Sequence, residues 1–348
     1  MGNDPESATA ATPTGVAKSP TIYDVARLAG VSHQTVSRHL RGLEGIRPET
    51  RERVVQALET LDYRPNLTAR HLATNRSHRV GVLAHEVGEV GPSKILQGAG
   101  AGAREAGYLL DIVSLDGDDP AAVSEALTLI TRQDIAGLLI FTSTDAMTGA
   151  LRATPHRIPT VIEVEGDDAL QDHPDTSNYR GLKVAVDHLV SLGHRRFFHI
   201  AGPRGWVAAR NRKLSYERAL AAHGLMSLGS VHGDWSAASG YRCAAELPPE
   251  SGVTALVVSN DQMALGALRA LHQQGIRVPE DISVTGFDDT PESAFYQPPL
   301  TTVHGDFDMQ GRSAFARLLR LIEGTPAAPA ARIPVELVVR QSTATAHR

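Results

Sequence analysis

At 348 residues, with 42% hydrophobic and 21% charged side chains, the chain is long enough for more than one cored domain and ordinary for a soluble globular protein. One cysteine, Cys243, excludes an intramolecular disulfide and fits a reducing cytoplasm, and no apolar run approaches the roughly 20 residues that a membrane span needs. The formal net charge of −5 conceals an asymmetry: residues 18–79 hold 11 Lys and Arg against 6 Asp and Glu, whereas residues 80–348 hold 23 against 31, so a basic head suited to a phosphate backbone precedes an acidic body.

Residues 1–19, rich in Ala, Thr, Pro and Gly, carry no basic start followed by an apolar stretch, so they read as a disordered arm and not a secretory signal. Thr21-Ile22-Tyr23-Asp24 has the form of a capping box, Ile22, Val25, Ala26 and Ala29 follow helical spacing, and Gly30 supplies a left-handed stop. Ser32 caps a second helix after a Gly-Val-Ser turn, which makes the pair a helix-turn-helix. On that second helix Val36 and Leu40 face inward, leaving His33, Gln34, Ser37 and Arg38 outward, where a recognition helix presents groups to base edges. Pro48 opens a third helix whose Val54, Leu58 and Leu61 form a buried face. Pro65 ends it, and Asn66 can cap a short further helix carrying Leu72 on a basic linker. That leucine suits a wedge entering a minor-groove base step.

From residue 80 onward, short apolar runs alternate with helical patterns. The runs are 80–84, 109–113, 137–141, 160–162, 196–200, 255–258 and 282–286. Strands this apolar imply parallel sheets covered on both faces, and two doubly wound lobes whose ligand sits outside the carboxyl ends of strands. Trp235 offers a face for the C–H side of a pyranose. Asn260 and Asp288 follow apolar strands, and Arg210 follows a Gly-rich turn; together they can donate to and accept from sugar hydroxyls. Trp235 also fits a core residue, Asp288 a helix cap, and Arg210 a surface ion pair. No dinucleotide fingerprint, phosphate loop, serine elbow or metal-ligand spacing appears, so no cofactor, metal or catalytic residue is expected.

The runs "TIYDVARLAGVSHQTVSRHLRG" and "RPETRERVVQALETLDYRPNLTARHLA" resemble the head and hinge of the LacI/GalR family. In the body, "DHLVSLGHRRFFHIAGP", "GDWSAASGY", "SNDQMALGALRALHQQGIRVPEDISVTGFDDT" and "PPLTTV" resemble the same family's periplasmic-binding-protein-like part. The resemblance covers nearly the whole chain from residue 20. It implies an all-α helix-turn-helix head (20–64), a hinge helix and linker (65–79), and an α/β two-lobed body (80–342) with a tail at 343–348. The first lobe is expected to hold 80–176 and 304–334 and the second 177–303 and 335–342, with crossovers near Thr176, Val303 and Pro334. It assigns DNA contacts to Thr21, Tyr23, Ser32, His33, Gln34, Thr35, Ser37, Arg38, Asn66, Ala69, Arg70 and Leu72. Effector contacts fall to His85, Glu163, Glu165, Arg210, Trp235, Asn260, Asp288 and Phe307, with Glu163 and Glu165 left as alternatives for one acidic position.

The resemblance further implies a cytoplasmic homodimer that binds near-palindromic double-stranded operator DNA and responds to a sugar, a galactoside-like pyranoside or another small molecule such as a nucleoside. His33 stands where a well-known family member has tyrosine, and His85 and Gly305 also depart from that member, so operator and effector preferences are expected to differ. The end of the chain at "RQSTATAHR" lacks the leucine-repeat tail of tetrameric members, hence the expectation of a dimer. A periplasmic sugar-binding protein would share the body but leave the head unexplained, as would a glycosidase built on paired carboxylates. If Leu72 is a wedge, Leu72→Ala will weaken binding to the operator far more than binding to random duplex, read by titrating both DNAs at one salt concentration; equal losses would remove the wedge.

Overall fold

The computed structural model describes residues 20–40, 43–63, 77–115, 119–152, 154–155, 157–247, 251–326 and 328–346. The arm at 1–19 and the hinge positions Asn66, Ala69, Arg70 and Leu72 lie outside them. The chain divides into two compact units, residues 1–76 and 77–348.

The head holds three helices: α1 (Ile22–Ala29), α2 (His33–Leu40) and α3 (Pro48–Thr60). The capping box forms in full. The Asp24 amide donates to Thr21 Oγ1, and the Thr21 amide donates to Asp24 Oδ2 at 2.9 Å. Gly30 closes α1 at φ 64°, a conformation in which a side chain would be strained. The Thr35 amide donates to Ser32 Oγ at 3.2 Å, which starts α2. Val25, Ala26, Ala29, Val36, Val54 and Ala57 form the small core, with Leu40, Leu58, Leu61 and Tyr63 packed around it.

The body opens with β1 (Arg79–His85), α4 (Val90–Glu105), β2 (Leu109–Leu115), α5 (Pro120–Thr131), β3 (Gly137–Thr142), α6 (Asp145–Arg152) and β4 (Thr160–Val164). The four strands form a parallel sheet in the order β2-β1-β3-β4. Alternation along β3 sends Leu138 and Ile140 to one face, against Val123, Leu127 and Met147. Leu139 and Phe141 go to the other, against Ala99, Ala103, Phe315 and Leu318. Burial on both faces is why these strands read as unbroken apolar runs.

The second lobe follows with α7 (Ser177–Ser191), β5 (Phe197–Ala201), α8 (Val207–Ala222), β6 (Ser227–His232), α9 (Ala237–Ala245), β7 (Ala255–Val258), α10 (Asp261–Gln273), β8 (Ser283–Phe287) and β9 (Thr301–Gly305). α11 (Phe307–Ile322) then returns to pack on the first sheet, and β10 (Val335–Val338) completes the second. That sheet has the order β10-β9-β8-β7-β5-β6 and is parallel except for β10, which runs antiparallel to β9. The strand before α7 and the strand after α11 thus belong to different sheets, so the chain crosses between lobes three times: after β4, after β9 and after α11. Val303 sits in the middle of β9, opposite Leu337, and the chain leaves this sheet after Gly305.

Two helices meet across the cleft side of the first lobe with no room between their backbones. A Cβ on Gly98 of α4 would lie 2.1 Å from the Asp308 carbonyl oxygen, and one on Gly311 of α11 would lie 1.9 Å from that of Ile95. This crossing sets where the first turn of each helix ends, and those turns carry cavity residues. Gly311→Ala gains about 1 kcal/mol of helix propensity but forces a backbone clash at the upper end of overpacking, about 3 kcal/mol. A net loss of about 2 kcal/mol is expected in urea unfolding, and an unchanged or raised midpoint would contradict this packing.

Candidate functional site

The head gathers its polar residues on one side. Tyr23 is 61% exposed, and its ring centroid lies 5.1 Å from that of His33. His33 and Gln34 are exposed in the first turn of α2, while Thr35 and Ser37 are partly buried beside the fully buried Val36. Ser32 and Thr21 are occupied as caps. Arg38 is exposed and its Nη2 donates to the Glu44 carbonyl at 3.0 Å, so its reach is held by the loop after α2. Among the described residues of the head no polar side chain is fully buried, so these groups form a surface.

In the body a cavity opens between the two sheets, at the carboxyl ends of their strands. β1 brings His85, and β4 and its following loop bring Glu163 and Glu165. The N-termini of α4, α7, α8 and α11 bring Glu89, Asn178, Arg212 and Phe307, and the loops after β6, β7 and β8 bring Trp235, Asn260 and Asp288. The main chain links the lobes beside it, where the Val207 amide donates to the Ser143 carbonyl at 3.1 Å.

Arg212 is the hub. Its Nε donates to Asn178 Oδ1 at 2.6 Å, Nη1 donates to the Ser259 carbonyl, and Nη2 reaches Asp288 Oδ1 at 3.3 Å. Its guanidinium carbon lies 3.7 Å from the Phe287 ring centroid and 5.4 Å from that of Trp235. A buried cation persists only when its donors are met, and here carbonyl, amide and carboxylate meet them. Burial lowers its pKa from the ordinary value, and Asp288 and Glu165 oppose that. The Asn178 and Asn211 amides both donate to Glu165 Oε1, at 2.7 and 2.9 Å. The first lobe's acid is thereby tied to the second lobe's arginine through one shared residue.

Burial pushes the Asp288 carboxyl up to about 6, with Arg212 and Lys94 holding it back. Burial also raises Glu165 and Glu163, the latter against its ion pair with Arg317 at 2.6 Å. Asp261, buried behind Asp288, is pushed up to about 7 by burial first and Asp288 second. Its carboxylate accepts from Thr302 and from the Thr290 amide, so Asp261 and not Asp288 caps the "FDDT" turn. Asp288 and Trp235 hold φ of 105° and 72°, costs of order 1–3 kcal/mol that cluster at functional sites.

Trp235 is buried with no acceptor for its Nε1, and its ring meets Trp206 edge to face at 5.6 Å. Asn260 lines the cavity, yet its amide is committed: Oδ1 accepts from the Met263 amide and Nδ2 donates to the Trp235 carbonyl, both at 2.9 Å. His85 is buried with its ring 5.5 Å from that of Trp206.

Arg210 is the exception among the expected effector residues. It does not line the cavity; its Nη2 reaches Asp145 at 2.8 Å and Asp167 at 3.1 Å. Two residues along a helix turn a side chain by about 200°, so Arg212 faces the cavity and Arg210 the rim. Arg212, Asn178, Asn211, Trp206 and Glu89 were missed by sequence reasoning. The run "ARNRK" held both arginines, and only the helix phase from Val207 separates them; Trp206 after Gly205 carried the loop signature used for Trp235. Among the described residues no group of three His, Cys, Asp or Glu could hold a metal ion, and no helix is long and apolar enough to cross a membrane.

The two arginines make opposite predictions. Arg212→Ala leaves Asp288 buried without its partner and should cost about 3–5 kcal/mol of stability. Arg210→Ala breaks pairs open to solvent and should cost under about 1 kcal/mol. Chemical denaturation of both variants distinguishes them, and equal losses would remove Arg212 as the hub.

Comparison with known proteins places both units. Residues 21–66 match bacterial regulatory proteins of the lacI family, and residues 186–343 match a periplasmic binding protein-like domain. The chain is 36% identical over 328 residues to the lactose operon repressor of Escherichia coli strain K12, across 94% of this chain and 91% of that protein. It is 33% identical over 330 residues to the HTH-type transcriptional repressor PurR of Haemophilus influenzae strain PittEE, across 92% and 98%. Among solved structures it is similar to the lac repressor dimer bound to operator and the anti-inducer ONPF. The TM-score is 0.79 at 34% identity, across 94% of this chain and 100% of that one.

Proposed function

Because the chain belongs to the lacI family of bacterial regulatory proteins, as a DNA-binding transcriptional repressor and not an enzyme, we propose that a sugar in the body cavity controls its grip on operator DNA. The observation that carries the sugar reading is the wall itself. Carboxylates of Glu165 and Asp288, the Arg212 guanidinium and the side chain of Trp235 line one space, an arrangement that suits the clustered hydroxyls and ring oxygen of a pyranose.

PurR among the relatives keeps a nucleobase in view as a second reading. The geometry favours the sugar. Trp206 and Trp235 stand at 71° to one another, so they offer no parallel slot for a flat base. The acceptor-rich wall matches hydroxyl donors, and a galactoside-like pyranoside is the proposed class. Trp235 stacks on the sugar, Arg212 and Asp288 hold adjacent hydroxyls, Glu165 meets the ligand from the first lobe, and His85, Glu163 and Phe307 complete the wall.

On DNA, His33, Gln34 and Arg38 are the proposed base-reading residues, with Thr21, Tyr23, Ser32, Thr35 and Ser37 at the backbone, and Asn66, Ala69, Arg70 and Leu72 as the hinge. One head reads one half-site, so the working unit is a homodimer on a near-palindromic operator in the cytoplasm. Phe295, 87% exposed on the second lobe, is an apolar side chain that a second copy would cover. Sugar bound across both lobes shifts their population and weakens operator affinity.

A mobility-shift titration on DNA upstream of the protein's own gene, at fixed salt, tests this. One pyranoside in a sugar panel should weaken operator affinity by about tenfold or more, within the usual span of coupling. A response to purines alone would end the sugar reading, and no preference over random duplex would end the regulator's proposed DNA sites as well.

A further inference from the structure

The cavity wall is out of charge balance. Four carboxylates line it, those of Glu89, Glu163, Glu165 and Asp288, against the single guanidinium of Arg212. Three of the four are met: Glu163 by Arg317, Glu165 by two amides, Asp288 by Arg212. Glu89 is not. It stands at the N-cap of α4 without making a side-chain cap, and among the described residues no ion pair or hydrogen bond to its carboxylate is formed. The nearby Lys94 is engaged elsewhere, donating to the carbonyls of Asp288 and Asp289 at 3.2 and 3.4 Å. Burial and then the charges of Glu86, Asp288 and Asp234 raise its pKa, so its surroundings already disfavour more negative charge.

We infer that the effector is an amine-bearing saccharide whose ammonium group sits at Glu89. This rests on the sugar reading above and narrows it. A neutral sugar can offer the Glu89 carboxylate only an uncharged hydroxyl donor, which is a weaker partner than an ammonium and leaves the excess negative charge of the wall in place. An acidic sugar would add a like charge to a wall that holds an excess of them. A protonated amine forms charge-assisted hydrogen bonds to Glu89 and lies within a cavity walled by Trp206, Trp235 and Phe307, whose ring faces attract cations. Trp235 lines the same cavity, and its buried Nε1 is a donor with no protein acceptor, a second group that a ligand oxygen would satisfy. A saccharide with one amine supplies both groups, whereas a simple amine lacks the oxygen and a simple sugar lacks the charge.

Calorimetric titration of the full chain tests this with sets that share a ring skeleton and differ by one amine or carboxylate substituent per ring. The first set is galactose, galactosamine and galacturonate; the second is cellobiose, the β-1,4 glucosamine dimer and the corresponding glucuronate dimer. In whichever set binds, the amine member should bind about tenfold or more tighter than its neutral counterpart, the size of one charge-assisted hydrogen bond, and the acid weakest. Glu89→Gln should erase that ratio, and Glu89→Asp should keep part of it. A neutral sugar that binds as well as its amine, or a ratio that survives Glu89→Gln, overturns the amine assignment and leaves the sugar reading standing. Binding by no member of either set overturns both.

Discussion

A guanidinium buried between two aromatic rings is the constraint around which the body is built. Removing an ion from water costs several kcal/mol after relaxation, so Arg212 is tolerable only where every direction it points offers an acceptor. Asn178, the Ser259 carbonyl and Asp288 supply them, from α7, the end of β7 and the end of β8. Three elements of the second lobe are thereby held in one register. Asn178 then spends its other end on Glu165, which belongs to the strand end of the first lobe. A small change in where the lobes meet must break or remake hydrogen bonds that are costly to leave open.

That coupling would give a ligand of modest size leverage. Packed interfaces with alternative hydrogen-bond partners tend to have discrete arrangements, and a ligand shifts their balance only by its differential affinity. Here the groups proposed to meet the effector are the same groups that join the lobes, so filling the cavity and setting the lobe geometry compete for the same bonds. Elements with glycine-to-backbone contact, as at Gly98 and Gly311, leave little slack to absorb the change locally.

Much of this architecture was legible in the residues alone. Thr21, Asp24 and Gly30 spell the limits of α1, because capping is local chemistry. The strands buried on both faces announced themselves as apolar runs. β6, with Ser227, Gly229 and Ser230 at a sheet edge, did not, since an edge strand has less to bury. Among effector candidates, Trp235, Asn260 and Asp288 line the cavity, and that placement was legible because strand ends are where clefts form. Arg212 was not legible because the start of α8 fixes which arginine faces inward, and that start lies at Trp206, beside its bridge to Thr144. Glu89 was invisible for a different reason: an acid near a helix start reads as an ordinary cap, and only the absence of the cap bond shows otherwise.

The central claim is that effector and operator binding are two readings of one equilibrium. Linkage then requires reciprocity: the factor by which a sugar weakens operator binding must equal the factor by which operator weakens sugar binding. Titrating the sugar that proves active into the protein alone, and into the protein saturated with operator, measures the second factor directly. The account predicts a matching loss of sugar affinity in the complex. Identical sugar affinity with and without operator would contradict it.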